Sequence, residues 1–296
     1  LASLSGIGSA AKLRELHLTD NRLNITLEES GILDLSNLES LFISYNNFSG
    51  DISSIVTLSR LSQFYAYQNQ LSSSIPSNIG SMSNLQLLVL GENYLTGSIP
   101  PMPASLAHLS LYKQLSDEKI SGALPNFSSL HSLGNLDLEN NRITGSIPDT
   151  FLGGSLLIDS PVKVLLGYND LTGTVPTSLD KFRQLELGIV GTKLTSIPQS
   201  LCDEDNKEWM EGAVGSIGLN CAAIACPAYT WSDTGKQADS NNPCIECPEM
   251  SNAYIGNQQC IKENHERDIL MELFTSTRGE FWTKRYGWGS SDIPLC

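Results

Sequence analysis

Residues 85–100, LQLLVLGENYLTGSIP, carry the pattern that most restricts how this chain can fold. Its fixed places, L-x-x-L-x-L-x-x-N-x-L-x-G-x-I-P, are held by Leu85, Leu88, Leu90, Asn93, Leu95, Gly97, Ile99 and Pro100. Leu133, Leu136, Leu138, Asn141, Ile143, Gly145, Ile147 and Pro148 fill the same template completely. Val164, Leu166, Asn169, Leu171, Gly173, Val175 and Pro176 fill most of it. Looser copies centre on Asn21, Asn46 and Asn69, with Gln114 and Thr192 at the Asn place of two degenerate ones. The step from one copy to the next is about 24 residues, a period used by solenoids with one strand and one turn-like segment per repeat. No unit of that length buries its own apolar residues. Neighbours must stack to make one continuous core.

Side chains alternate along a strand, so in each L-x-L the leucines point inward and the residue between them outward. Strands are predicted at 16–18, 41–43, 64–66, 88–90, 109–111, 136–138, 164–166 and 187–189, forming one parallel sheet on the concave face. The recurrent Asn is expected inside the turn, its amide pairing backbone groups that a tight coil would otherwise orphan. The Gly and Pro that follow suit a backbone that turns sharply and cannot continue as a helix.

On these motifs, residues 13 to 200 resemble the plant-type leucine-rich repeat, which its extra G-x-I-P segment separates from other subtypes. The resemblance implies a curved, right-handed repeat solenoid of short parallel strands, with about eight repeats over residues 1–201. It also implies the work of surface receptors and adhesion proteins, which is binding rather than catalysis. Two repeats are irregular. After Leu111 the chain runs YKQLSDEKISGALP, about four residues longer than the template. After Pro148, DTFLGGSLLIDSPVK is also long. Such insertions map to surface loops, and the Asp117–Glu118 pair is expected to be solvated.

The formal net charge of −14 argues against nucleic acid and against an anionic membrane surface as partners. No apolar run approaches the length of a membrane span. The opening LASLSGIGSAAKLRELHL begins inside a repeat, so we read the chain as processed or partial. All 7 cysteines lie from Cys202 onward. A cysteine-free repeat body followed by a dense cluster points to a disulfide-bonded cap, hence an extracellular or cell-surface setting. The sequons at Asn24, Asn47 and Asn126 agree with that compartment and are candidate N-glycan acceptors.

From Cys202 the periodicity stops. Residues 202–262 are read as a cysteine-rich cap; from Cys226 they resemble small disulfide modules of extracellular proteins with a CP-x-Y, then C-x-x-CP pattern. That resemblance implies the pairs Cys226–Cys244 and Cys247–Cys260, and leaves Cys202 with Cys221. Sequence alone allows about 15 pairings of six cysteines. A zinc site built from Cys221, Cys226, Cys244 and Cys247 is the rival reading, and a redox C-x-x-C a weaker one. In residues 263–296, Ile269, Leu270, Leu273 and Phe274 have helical spacing, followed by Gly279, Trp282 and Trp288. This stretch resembles the N-terminal cap of a following leucine-rich repeat domain, as seen in algal and other protist proteins. The family's second cap cysteine is absent here, which leaves Cys296 unpaired or intermolecular.

No nucleophile, phosphate or metal motif surrounds His17, His108, His131 or His265, and no cofactor is expected. The concave face is more informative. Its first outward column reads His17, Phe42, Tyr65, Val89, Ser110, Asp137, Leu165 and Gly188. The next reads Thr19, Ser44, Tyr67, Gly91, Tyr112, Glu139, Gly167 and Val190, and a third adds Tyr45 and Tyr168. Phe42, Tyr45, Tyr65, Tyr67 and Tyr112 thus cluster, with Asp137, Glu139 and Tyr168 beyond them. Such a surface suits a protein hot spot or stacking against sugar rings, although Tyr and Phe also simply favour strands. The sequence therefore supports an extracellular module that binds a protein or glycan ligand on this face. The alternative is a self-associating structural subunit of an extracellular filament or wall layer.

Overall fold

A computed structural model describes residue 4 and residues 6–201, 225–237, 243–247 and 254–260. The expected Cys202–Cys221 bond, the helix near residue 270 and Cys296 lie outside the described residues. Eight strands, Glu15–His17, Ser40–Phe42, Gln63–Tyr65, Leu87–Val89, His108–Ser110, Asn135–Asp137, Pro161–Leu165 and Gln184–Gly188, form one parallel sheet in chain order. Each belongs to one coil, and we number the coils one to eight. The first six strands begin one residue before the predicted cores and the last two begin three residues before, while backbone bonding continues through the cores, with the Leu18 amide donating to the Phe42 carbonyl at 2.7 Å.

Register is direct: Leu16 lies beside Leu41, Leu41 beside Phe64, and Phe64 beside Leu88. Equivalent leucines therefore stack into one core. Leu41, Leu88, Leu109, Leu136 and Val164 are essentially excluded from solvent, as are the larger Phe48, Phe64, Phe151 and Phe182. Each such side chain contributes about 2 kcal/mol through burial.

The Asn column performs the expected backbone pairing. Asn46, Asn69, Asn93 and Asn169 each accept a backbone amide from the preceding coil on Oδ1 and donate Nδ2 to carbonyls of that coil and their own. Gln114 substitutes for Asn in coil five, its Oε1 accepting the Leu95 amide at 2.9 Å. The four-residue insertion interrupts the ladder one coil later. Asn141 Oδ1 is buried without a partner, because the backbone that would supply its donor bulges out between Ser116 and Lys119.

A second sheet is present that the pattern did not predict. Ser49–Asp51, Gln70–Ser74, Tyr94–Ser98, Ile120–Ala123, Arg142–Ser146, Asp170–Thr174 and Lys193–Ser196 pair in parallel. The L-x-G segment read as pure turn is thus strand, bent at a residue with positive φ: Gly50, Gly97, Gly122, Gly145 and Gly173 lie between +77° and +88°. Beyond coil eight, Cys226 is bonded to Cys244 and Cys247 to Cys260. Thr230–Trp231 and Ile245–Glu246 form a short antiparallel ribbon within this module. No helix among the described residues is long and apolar enough to cross a membrane.

Candidate functional site

The direct register of the concave sheet places its outward side chains one above another. His17 lies beside Phe42 and Phe42 beside Tyr65. Their rings stack: centroids are 4.3 Å apart at 13° for His17 and Phe42, and 5.0 Å apart at 15° for Phe42 and Tyr65. These separations are close to the spacing of neighbouring strands, about 4.8 Å. Both faces of Phe42 are therefore covered by neighbouring rings, and the stack presents ring edges to the groove.

In the next columns, Tyr45 meets Tyr67 edge-on at 5.4 Å. Tyr67 lies over Gly91, where an added Cβ would stand 3.1 Å from the Tyr67 ring and 3.3 Å from Tyr112 Cβ. The absence of a side chain at Gly91 is what lets Tyr67 and Tyr112 approach across coil four. Burial, then the charge and hydrogen bond of Glu92, push the Tyr67 phenol up to about 12. Glu92 also binds Lys113 Nζ at 3.1 Å.

Tyr45 and Tyr168 share a backbone state with Asp20, Gln68, Glu92, Lys113 and Asn140. All have φ between +49° and +60°, immediately before the ladder residue of their coil. This left-handed residue turns the chain out of the concave strand and swings Tyr45 and Tyr168 to the groove margin, where both are exposed.

Asp137 and Glu139 occupy coil six, half-buried. Burial raises both carboxyls above their ordinary range, and the charge of Asp137 raises Glu139 further. Lys163, which offsets them, is itself paired with Glu186 at 2.9 Å. Glu139 Oε1 extends across Gly167 and Gly188, reaching 2.9 Å and 3.3 Å from where their Cβ atoms would be. Tyr168 stands apart from the aromatic cluster. Its hydroxyl accepts Gln258 Nε2 of the disulfide module at 2.9 Å.

The candidate residues thus form two groups, an aromatic cluster on coils one to five and a carboxylate group on coil six. Column reasoning had assigned no role to His17, yet it opens the ring stack. It also passed over Glu92, Lys113, Lys163 and Glu186, which set the charge around both groups. His108 is half-buried, and burial draws its pKa down. The three sequon asparagines, Asn24, Asn47 and Asn126, are exposed. Among the described residues no group of three or more potential ligands could hold a metal ion.

The Leucine Rich Repeat family model matches residues 37–58 and 132–153. Receptor-like protein 39 of Arabidopsis thaliana is 32% identical over 183 residues, 60% of this chain and 20% of that protein. Receptor-like protein 41 of the same plant is 35% identical over 180 residues, again 60% of this chain and 20% of its own length. The matched stretches thus span about a fifth of these relatives. Among solved structures, the plant peptide hormone receptor RGFR1 in complex with RGF2 superposes with a TM-score of 0.54 and 26% identity, covering 69% of this chain and 32% of that one.

Proposed function

Because this chain is a leucine-rich repeat protein of the plant type, we propose that it is the ligand-binding part of a receptor-type extracellular protein and takes a peptide on its concave face. The reading is supported by similarity to receptor-like proteins and to a peptide hormone receptor. The observation that carries it is the His17–Phe42–Tyr65 stack.

A sugar ring binds an aromatic residue through the ring face. In this stack both faces of the central Phe42 and one face each of His17 and Tyr65 are spent on neighbouring rings, so most of what remains is a row of edges with partial positive charge, flanked by tyrosine hydroxyls. Peptide carbonyls and apolar side chains suit that surface better than a pyranose does. The rigid sheet preorganises it, which lowers the ordering cost of binding. The solenoid is a scaffold for recognition and not for catalysis, and its place is the cell surface or the secreted space.

Substituting Tyr65 and Tyr67 by Ala tests the reading, because both point out of the core. Each substitution should lower peptide affinity about tenfold or more, as expected of central aromatic anchors, with the chain still folded and unfolding cooperatively. Unaltered binding in both variants would remove this face from consideration.

A further inference from the structure

The disulfide module reaches beyond the open end of the core. Ala225 and Ile255 join the core of the last coil, and the Ile255 amide donates to the Leu194 carbonyl at 2.9 Å. The module also presses on the concave face. A Cβ on Gly235 would stand 2.6 Å from Val190 Cγ1, and one on Gly256 would stand 3.3 Å from Val190 Cα. Both glycines have positive φ, +71° and +73°, so these two loops approach as bare backbone. Val190 is the outward residue of coil eight. The module therefore covers part of the concave face at its last coil. One coil earlier the module is bonded through Gln258 to Tyr168, and one coil before that the charge of Lys236 acts on Glu139.

We propose that the disulfide module is the end wall of the ligand groove, and that Lys236 and Gln258 border the bound end of a short linear peptide carrying a cationic group. This rests on the concave-face reading above. From His17 to Glu139 the groove crosses five coil steps of about 4.8 Å, roughly 24 Å, the length of about seven extended residues. Apolar side chains of the peptide lie along the ring edges, and its chain end meets the wall. Lys163 is shared among Asp137, Glu139 and Glu186, which leaves a net negative charge on this group at the edge of the module. An ammonium or guanidinium group offsets part of that charge. The Gln258 amide and Tyr168 hydroxyl add neutral hydrogen bonds beside it.

The test uses the whole disulfide-bonded chain and a displayed library of random nine-residue peptides as the probe. Selected binders should combine an apolar run with a basic residue and lose about tenfold in affinity with Tyr65→Ala or Glu139→Gln. Lys236 and Gln258 are exposed, so their replacement leaves the core intact. Lys236→Ala should tighten binding about threefold by removing a competing cation, and Gln258→Ala should weaken it by a similar factor. The Lys236→Ala effect should vanish for a peptide whose basic residue is replaced by Met, which a merely structural role would not produce. Binders sensitive to Tyr65→Ala but indifferent to Lys236→Ala and Gln258→Ala would overturn the end-wall proposal while leaving the concave site standing. Binders indifferent to Tyr65→Ala would overturn both.

Discussion

Asn93 accepts the backbone amide of Leu71, one coil earlier, on its Oδ1 at 3.0 Å. Its Nδ2 returns to the Ala66 carbonyl of that same coil at 2.8 Å. A fully buried side chain thus holds two coils together through both ends of one amide. Asn93→Ala strands the donor and the carbonyls, and should cost about 3 kcal/mol in denaturant unfolding. Asn141→Ala should cost about 1 kcal/mol less, because its Oδ1 is already unpaired.

Gly145 has φ +80°, and a Cβ added there meets nothing within 4 Å. Gly145→Ala therefore isolates the backbone term and should destabilise by about 1 kcal/mol. Ser73 stands in the same column with φ +78°. Ser73→Gly should raise stability by about 0.5 kcal/mol, because the exposed Ser73–Asp51 hydrogen bond it removes is worth less than the relief of backbone strain. Thermal unfolding of the two variants side by side checks the opposite signs.

These two columns also mark how far the sequence could be read. The Asn ladder was legible because one residue type recurs with a fixed role, and even Gln114 could be placed by position. The second sheet was not, because L-x-G-x-I-P carries the Gly and Pro that ordinarily signal a turn, and a strand bent at a positive-φ glycine has the same composition. The left-handed residue before each ladder Asn left no trace, since Asp20, Tyr45, Gln68, Glu92, Lys113, Asn140 and Tyr168 share no chemistry. Alternation put Phe42 and Tyr65 in one column, but only the direct register makes their faces touch. The approach of Gly235 and Gly256 to Val190 lies where no periodicity exists to extrapolate.

Tyr67 supplies a spectroscopic prediction. Its phenol is pushed up to about 12, first by burial and then by Glu92. The folded value lies above the unfolded value of about 10, so the stabilising contribution is complete below pH 10 or so and is lost as pH rises through about 12. Tyrosinate absorbance should show one residue ionising after the others. Glu92→Gln removes the negative charge and should move that late ionisation toward the ordinary range, whereas Glu15→Gln, remote from Tyr67, should not.

Asp137 and Glu139 follow the same sign as Tyr67, in the carboxylate range of pH. Burial raises both carboxyls, so each prefers its neutral form in the folded state more than in the unfolded one. The stability this gives is complete below the ordinary carboxylate range and is lost as pH rises through the raised folded values. At neutral pH both are ionised at a cost, and Asp137→Asn should raise the melting temperature there by a few degrees. The same ionised pair is what a cationic ligand group would require. Binding of a basic peptide should therefore weaken on acidification sooner than ordinary carboxylates would dictate, while stability through this pair improves. Titrating affinity and melting temperature over one pH series separates the two trends. Parallel loss of both would mean that the carboxylates hold the fold together and do not serve the ligand.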